Sequence, residues 1–309
     1  MTALLVVGDV VTDVIARHRT PLTPATDTTA EIRTLPGGAG ANAACWAARS
    51  GCPDVRLLGR TGSDAADWHD RELRRAGVLP LLVTDPQAAT ATVIALVDPS
   101  SERTFLTDSG AALRLSPTDW SSALLNGVAH LHLSGYLFFA EPSRTTARLA
   151  LRQAREAGIT VSVDPASAGF LSERGADRFL AAVAGADVLF PNADEARLLT
   201  GRSGPAGAAG ELSRAFPLVA VTLGGEGALV AERGEVTARV TAPAVRPVDS
   251  TGAGDAFTGA FLAARLAGAG PAKAAEAGCR AGAEAVTVVG GRPPGSGGGR
   301  AGSSRRREL

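Results

Sequence analysis

The densest chemistry in the chain lies in the segment Val248-Asp249-Ser250-Thr251-Gly252-Ala253-Gly254-Asp255-Ala256-Phe257. Its small residues let consecutive backbone N–H groups turn outward together, and an Ala-rich helical stretch follows at once. The first N–H groups of a helix lack internal partners and sit at its positive dipole end. Such a turn binds phosphate without a lysine. That matters here, because Lys273 is the only lysine in the chain and no glycine loop precedes it. Asp255 falls in the first helical turn. It is either a carboxylate beside an anion site or an ordinary favourable first-turn acid, and the glycines alone leave both open. The helix dipole should favour its charged form, as a base at neutral pH requires.

A second small-residue segment runs Leu35-Pro36-Gly37-Gly38-Ala39-Gly40-Ala41-Asn42-Ala43-Ala44. Asn42 is a polar side chain near the start of an otherwise apolar helix, placed to bond a ligand or to cap locally. The glycines do not make a dinucleotide fingerprint. That motif needs a strand directly before it and an acid about 20 residues later; here Thr-Leu-Pro does not read as a buried strand, and Ala43 stands at the third-glycine position. A dehydrogenase is therefore disfavoured.

The elements that must position these segments follow from patterning. Leu4–Val7 is a short apolar run closed by Gly8-Asp9. Helical composition spans Ala41–Arg49, and again Asp64–Ala76, with Val55–Leu58 a strand between them. Leu79–Val83, Thr92–Val97 and Arg103–Thr107 are strand-like and separated by turn residues. From Val128 onward strands alternate with helices: His130–Ser134, Ser143–Ala157, Ile159–Val163, Glu173–Val183, Val188–Phe190, a helix from Ala193 to about Thr200, and Leu218–Thr222. That alternation predicts a mainly parallel sheet covered on both faces. Two strands follow around Arg233-Gly234, then helices over about Gly254–Leu266 and Pro271–Thr287. The end, from residue 292 to 309, is Gly/Ser/Arg-rich and is expected to be disordered. Its RRR reads as a solvated tail before it reads as a contact for an acidic partner.

Composition narrows the function classes. Lys+Arg and Asp+Glu each total 31, so the formal charge is zero, unlike a chain built for a nucleic-acid backbone. No run reaches the ~18 apolar residues of a membrane span. The start lacks a basic signal region, so a cytoplasmic location is expected. Cys45, Cys52 and Cys279 are odd in number with no CxxC spacing, which disfavours a disulfide framework or structural zinc. His130 and His132 share one strand face without an evident third ligand. Asp164-Pro165 closes a strand at the edge where α/β proteins bind ligands, as a phosphate or Mg2+ residue or as a plain turn starter.

Taken together, the two glycine segments resemble the paired signatures of the PfkB carbohydrate kinases, the ribokinase-like superfamily. GGAGANAACWAARSG matches the first and DSTGAGDAFTGAFLAA the second, and the resemblance covers the chain from Gly8-Asp9 to about Gly291. Between them, Gly59-Arg60-Thr61-Gly62-Ser63-Asp64 is similar to a G-x-x-G-x-D turn and Glu102-Arg103-Thr104 to a G-E-R-T strand with Ser101 in place of Gly. Asn192-Ala193-Asp194-Glu195 matches N-x-x-E, and Thr222–Gly227 a T-x-G-x-x-G turn.

The resemblance implies a three-layer α/β/α sandwich, residues 1–291, with a small β-sheet lid from about 10–33 and 90–107. It implies phosphoryl transfer from ATP to an alcohol. Asp255 would be the base, and the backbone of Gly252, Ala253 and Gly254 the anion hole. Asp13, Gly38, Asn42 and Arg103 would meet the acceptor; Asn192, Glu195, Thr222, Gly224 and Gly227 would meet the nucleotide. Glu195 would serve Mg2+ through water, and Asp249 and Thr251, with carbonyls near Val286 and Gly291, a monovalent cation such as K+. Relatives pair their lids, so a homodimer is expected.

Departures bear on the acceptor. Ribokinases carry Lys after Gly-Gly, where this chain has Ala39, and an acid after the central strand, where it has Ser134-Gly135-Tyr136. Ribose is thereby disfavoured. Tyr136 and Phe138 would stack on a sugar or a base, or pack in the core. The adenine pocket is expected to be contributed differently, since GRPPGSGGGR stands where relatives continue with an ordered segment. The reading is a kinase of a sugar or sugar-like alcohol; the alternatives are a nucleoside kinase and a non-catalytic sugar-binding regulatory protein.

Overall fold

Alternate residues of the first strand, β1 (Ala3–Val7), face different cores: Leu5 and Val7 join one apolar cluster, Leu4 and Val6 another. A strand covered on both faces needs no polar alternation, which explains the unbroken apolar run. The structure is a computed structural model that describes residues 3–100 and 102–295, with Arg103 described through its backbone only.

The strands that follow are β2 (Val11–His18), β3 (Ala30–Gly37), β4 (Val55–Gly62), β5 (Val78–Asp85), β6 (Ala91–Val97), β7 (Arg103–Asp108), β8 (Val128–Ser134), β9 (Thr160–Asp164), β10 (Val188–Leu189), β11 (Leu218–Thr222), β12 (Ala228–Glu232) and β13 (Glu235–Val240). The helices are α1 (Ala39–Arg49), α2 (Ala66–Arg75), α3 (Ser143–Glu156), α4 (Ala168–Arg174), α5 (Ala176–Ala182), α6 (Ala193–Thr200), α7 (Pro205–Leu212), α8 (Ala253–Leu266) and α9 (Pro271–Ala285). The main sheet has the order β13-β12-β11-β10-β9-β8-β1-β4-β5. It is parallel from β5 to β11, and β12 and β13 add antiparallel at one edge.

Helices α3 to α7 cover one face through residues such as Ala147, Leu151, Phe179, Leu199 and Leu212. Helices α1, α2, α8 and α9 cover the other through Ala44, Leu73, Phe257, Phe261 and Ala275. This is the expected three-layer sandwich. The expected lid is there too, a separate sheet in the order β3-β2-β6-β7. Its register places Asp13, Leu35, Val93 and Thr107 on one face, and Val14, Thr34, Ile94 and Leu106 on the other.

Helices α1 and α8 pack closely enough that a Cβ on Gly259 would run into Ala43 and Trp46. Trp46 is buried among Ala256, Ala260, Ala281 and Ala285, and its Nε1 donates to the Gly291 carbonyl at 2.9 Å. One turn earlier on each helix, this contact brings Asn42 opposite Asp255.

Three expectations change. The helix expected over Glu173–Val183 is two shorter helices, α4 and α5, broken at Gly175 with φ 95°. Helix α7 was not expected, because PAGAAGEL lacks apolar periodicity and starts from Pro at its first turn. The expected tail boundary at 292 is too early. Arg292 is buried at 8% exposure, held by three hydrogen bonds; residues 296–309, with the RRR, lie outside the described residues. Composition missed this because one buried guanidinium leaves no periodic signal. No described helix is long and apolar enough to cross a membrane.

Candidate active site

The site is built on two helix starts. Gly252 precedes α8 with φ 74°, and a Cβ there would collide with the Gly291 backbone. Only glycine fits both demands. No side chain caps α8; the Ala253 N–H makes a long hydrogen bond to the Ser250 carbonyl, 3.4 Å, within the turn itself. At α1 the first N–H groups are engaged. Ala39 and Gly40 donate to the two carboxylate oxygens of Asp9 at 2.7 and 3.2 Å, and Ser134 Oγ adds a third bond at 2.7 Å.

A cavity of about 420 Å³ opens between sandwich and lid. Asp13, Gly38, Asn42, Thr251, Gly252 and Asp255 all line it, with Val93, Phe105 and Thr107 from the lid. The Asp13 carboxylate lies against Gly37, where any Cβ would clash with it. Burial pushes Asp13 up to about 7, Arg292 pulls it down, and Asp9 and Asp249 push it further up. The lining holds Asp9, Asp13, Asp108 and Asp255 but no described Lys, Arg or His.

A second cavity, about 440 Å³, lies on the other side of the glycine turn. Thr222, Gly224 and Gly227 line it beside Ala253 and Gly254. Its far wall is formed by Ala242–Val245 and by Gly278, Cys279, Gly282 and Ala283 on one stripe of α9. The residue 250–255 turn therefore borders both cavities.

Asn192 and Glu195 form a reciprocal cap on α6. Asn192 Oδ1 accepts from the Glu195 N–H, and Glu195 Oε2 from the Asn192 N–H, both at 2.9 Å. Asn192 also bridges to Thr222, so the two motifs lie side by side. Glu195 is buried, and its carboxyl is raised first by burial and then by Asp164. Asp164 is raised by burial as well, while accepting from the Ala166 N–H at 2.8 Å and Thr258 Oγ1 at 3.3 Å. Two inward carboxylates that resist ionising together suit a divalent cation. No cluster of three or more His, Cys, Asp or Glu exists among the described residues.

Asp249 turns inward and ties the turn to the chain after α9. Its carboxylate accepts from the Thr251 N–H at 2.8 Å and the Gly290 N–H at 3.0 Å, while Val286 O accepts from the N–H groups of Val248 and Asp249. Arg103 opens β7 opposite Val97; its side chain lies outside the described residues.

The expectation that the helix dipole keeps Asp255 charged is corrected. Burial raises it well above the ordinary carboxylate range. The Asn42 hydrogen bond opposes that, and Asp164, Asp9 and Asp13 add to the rise. A dipole at a helix start is worth less than the removal of water and three nearby acids. Of the two aromatics, Tyr136 lines the first cavity, whereas Phe138 is core, packed against Phe179. His130 and His132 share Ser162 Oγ at 2.7 and 2.9 Å and are buried neutral. Sequence reasoning missed Arg292, and noted Asp9 without giving it a role. An acid closing the first buried strand was the available signal for Asp9; Arg292 offered none.

Comparison with known proteins gives the family and the fold. The family described as "pfkB family carbohydrate kinase" matches residues 1–296. A fructokinase of Escherichia coli is 33% identical over 272 residues, 83% of this chain and 82% of its own. An adenosine kinase from Sinorhizobium meliloti shares the fold with TM-score 0.84 at 24% identity, over 95% of this chain and 96% of that one. A chain from E. coli described as a ribokinase II, in complex with ATP and Mg2+, superposes with TM-score 0.82 at 25% identity, over 94% of each chain.

Proposed function

The chain belongs to the pfkB family of carbohydrate kinases, and from that premise we propose that it transfers the γ-phosphoryl group of ATP to a hydroxyl of an uncharged sugar or sugar-like alcohol. One observation carries the reading: the 250–255 turn borders both cavities, with Asp255 and Gly252 in the first and Ala253 and Gly254 in the second. A base and an anion-binding turn at the junction of two pockets are what in-line phosphoryl transfer needs, since alignment and charge stabilisation supply most of the catalysis.

In this reading the acceptor lies in the first cavity, with Asp13, Gly38 and Asn42 beside it and Arg103 opening the lid strand β7. Asp255 takes the proton of the attacking hydroxyl. The N–H groups of Gly252, Ala253 and Gly254 receive the transferring oxygens. ATP lies in the second cavity against Thr222, Gly224 and Gly227. Mg2+ would neutralise phosphate charge; Glu195, through water, and Asp164 are the residues that would hold it. Asp249, Thr251 and the carbonyls of Val286 and Gly291 offer the oxygen ligands K+ takes.

The lining chooses among acceptors. Four acids line the cavity, a setting that favours a neutral acceptor rich in hydroxyl donors. Tyr136, Phe105 and Phe170 in the wall favour a second reading, a nucleoside whose base stacks there. A purely sugar-binding protein would have no use for Asp255. Thermal-shift screening of fructose, ribose and adenosine with an ATP analogue, followed by ADP release with each acceptor, tests the proposal. Absence of acceptor-dependent ADP release across such a panel would refute it. The outer lid face, with Ile32 at 65% and Leu106 at 53% exposure, supports a homodimer.

A further inference from the structure

Arg292 is the buried cation that the proposed chemistry leaves without a role. It does not line either cavity. Its Nε donates to Asn42 Oδ1 at 2.9 Å, one terminal nitrogen to Cys45 Sγ at 3.0 Å, and the other to the Gly37 carbonyl at 3.1 Å. Asn42 in turn donates from Nδ2 to Asp255 Oδ2 at 2.8 Å. A guanidinium can only donate, whereas an amide has one accepting and one donating end. The carbonyl end of Asn42 must therefore face Arg292, which leaves the NH2 end for Asp255.

We propose that Arg292 is a positioning residue for Asp255, acting through Asn42 by fixing which end of the amide meets the carboxylate. An amide NH2 pairs with an ionised carboxylate. Were the amide free to rotate, its oxygen would accept from a protonated Asp255 and so stabilise the form that cannot take a proton. Arg292 closes that option from about one side chain away. The groups around it are Asn42 and Cys45 on α1, Gly37 O on β3, Asp13 on β2 and His69 on α2. Asp255 itself faces Asp9, Asp13 and Asp164. The inference rests on the reading of Asp255 as the base.

The test is a double-mutant cycle of Arg292→Met and Asn42→Ala, with turnover measured on fructose and adenosine. Alone, Arg292→Met should lower kcat by about 10- to 100-fold, the scale of a small misplacement at the reacting group. The KM for ATP should stay within about twofold. The acid limb of kcat/KM should move about one pH unit to the alkaline side. In the Asn42→Ala background the same substitution should change kcat by less than about threefold. Arg292→Lys, still a donor only, should recover the pH limb. Full additivity, or an unmoved limb, would overturn the proposal. If Arg292→Met loses ATP-analogue binding, Arg292→Gln repeats the cycle with the same criteria. An acceptor-independent arm separates this inference from the kinase reading. The side-chain amide of Asn42, identified by its loss in Asn42→Ala, is followed by 15N NMR in the ligand-free protein. It should exchange slowly in the wild type and quickly in Arg292→Met. If no acceptor of the panel is phosphorylated the kinase reading fails, and if Asp255→Asn keeps full turnover the base assignment fails; in either case the amide signal alone decides the role of Arg292, and equal exchange in both proteins would sink it.

Discussion

Asn42 and Asp255 are 213 positions apart in sequence, yet the Asn42 amide donates to the Asp255 carboxylate at 2.8 Å. The bond exists because α1 and α8 pack tightly at Gly259, one turn from each residue. It joins the two glycine segments into one site.

Replacing Asp255 by Asn keeps the shape and removes the ability to accept a proton. Fold and ATP-analogue binding should survive, while turnover of an established acceptor falls by about 10²–10⁴-fold. Because burial raises this carboxyl, the acid limb of wild-type kcat/KM should lie above the ordinary carboxylate range. Steady-state rates from pH 5 to 9 check both points; near-normal turnover by the variant would refute the base assignment.

Asp13 sets stability against binding. Its carboxyl sits near 7 in the folded protein against 3.8 for the unfolded chain, so between those values the folded state holds the extra proton. Stability from this group is present at low pH and is lost as pH rises towards 7. At pH 8, Asp13→Asn should therefore melt higher than wild type. The same variant should bind acceptor more weakly by about 1–3 kcal/mol, a lost charged hydrogen bond. Differential scanning fluorimetry and calorimetric titration measure the two effects, and a lower melting temperature with unchanged affinity would contradict both.

Buried histidines should make the protein acid-sensitive. His69, His130 and His132 are each held near 3 by burial, below the 6.5 of an exposed imidazole. As pH falls below about 6.5 the unfolded chain takes up protons that the folded one refuses, and stability drops. His132→Phe, which keeps a ring against Phe190, should flatten the decline in melting temperature between pH 7 and 5. An identical slope in both proteins would show that His132 does not contribute.

The outer lid face should carry an interface. Ile32→Glu and Leu106→Glu place charges on that face, opposite the one that lines the acceptor cavity. Light scattering at micromolar concentration should give a dimeric mass for the wild type and a monomeric mass for the double variant. A monomeric wild type would end this reading.

Much of this architecture was legible because its signals are periodic or local. Continuous apolar runs such as ALLVV mark doubly covered strands, and glycine clusters before helices mark anion turns. The Asn192–Glu195 pair was legible as a motif, while its reciprocal cap appears only in the fold. What stayed hidden depends on long-range burial. The Asp255 carboxyl is raised first by burial and then by acids from three other segments, and no local pattern reports that sum. Arg292 was read as tail because glycine and proline surround it; its partners lie 247 to 255 positions away.

The cavity between sandwich and lid takes its floor from one sheet system and its roof from another. Substitutions at Val93, Phe105 or Thr107 alter the roof while leaving the turn at 250–255 covalently and spatially intact. If the proposed assignment holds, acceptor choice and phosphate handling are thus carried by separate parts of the chain.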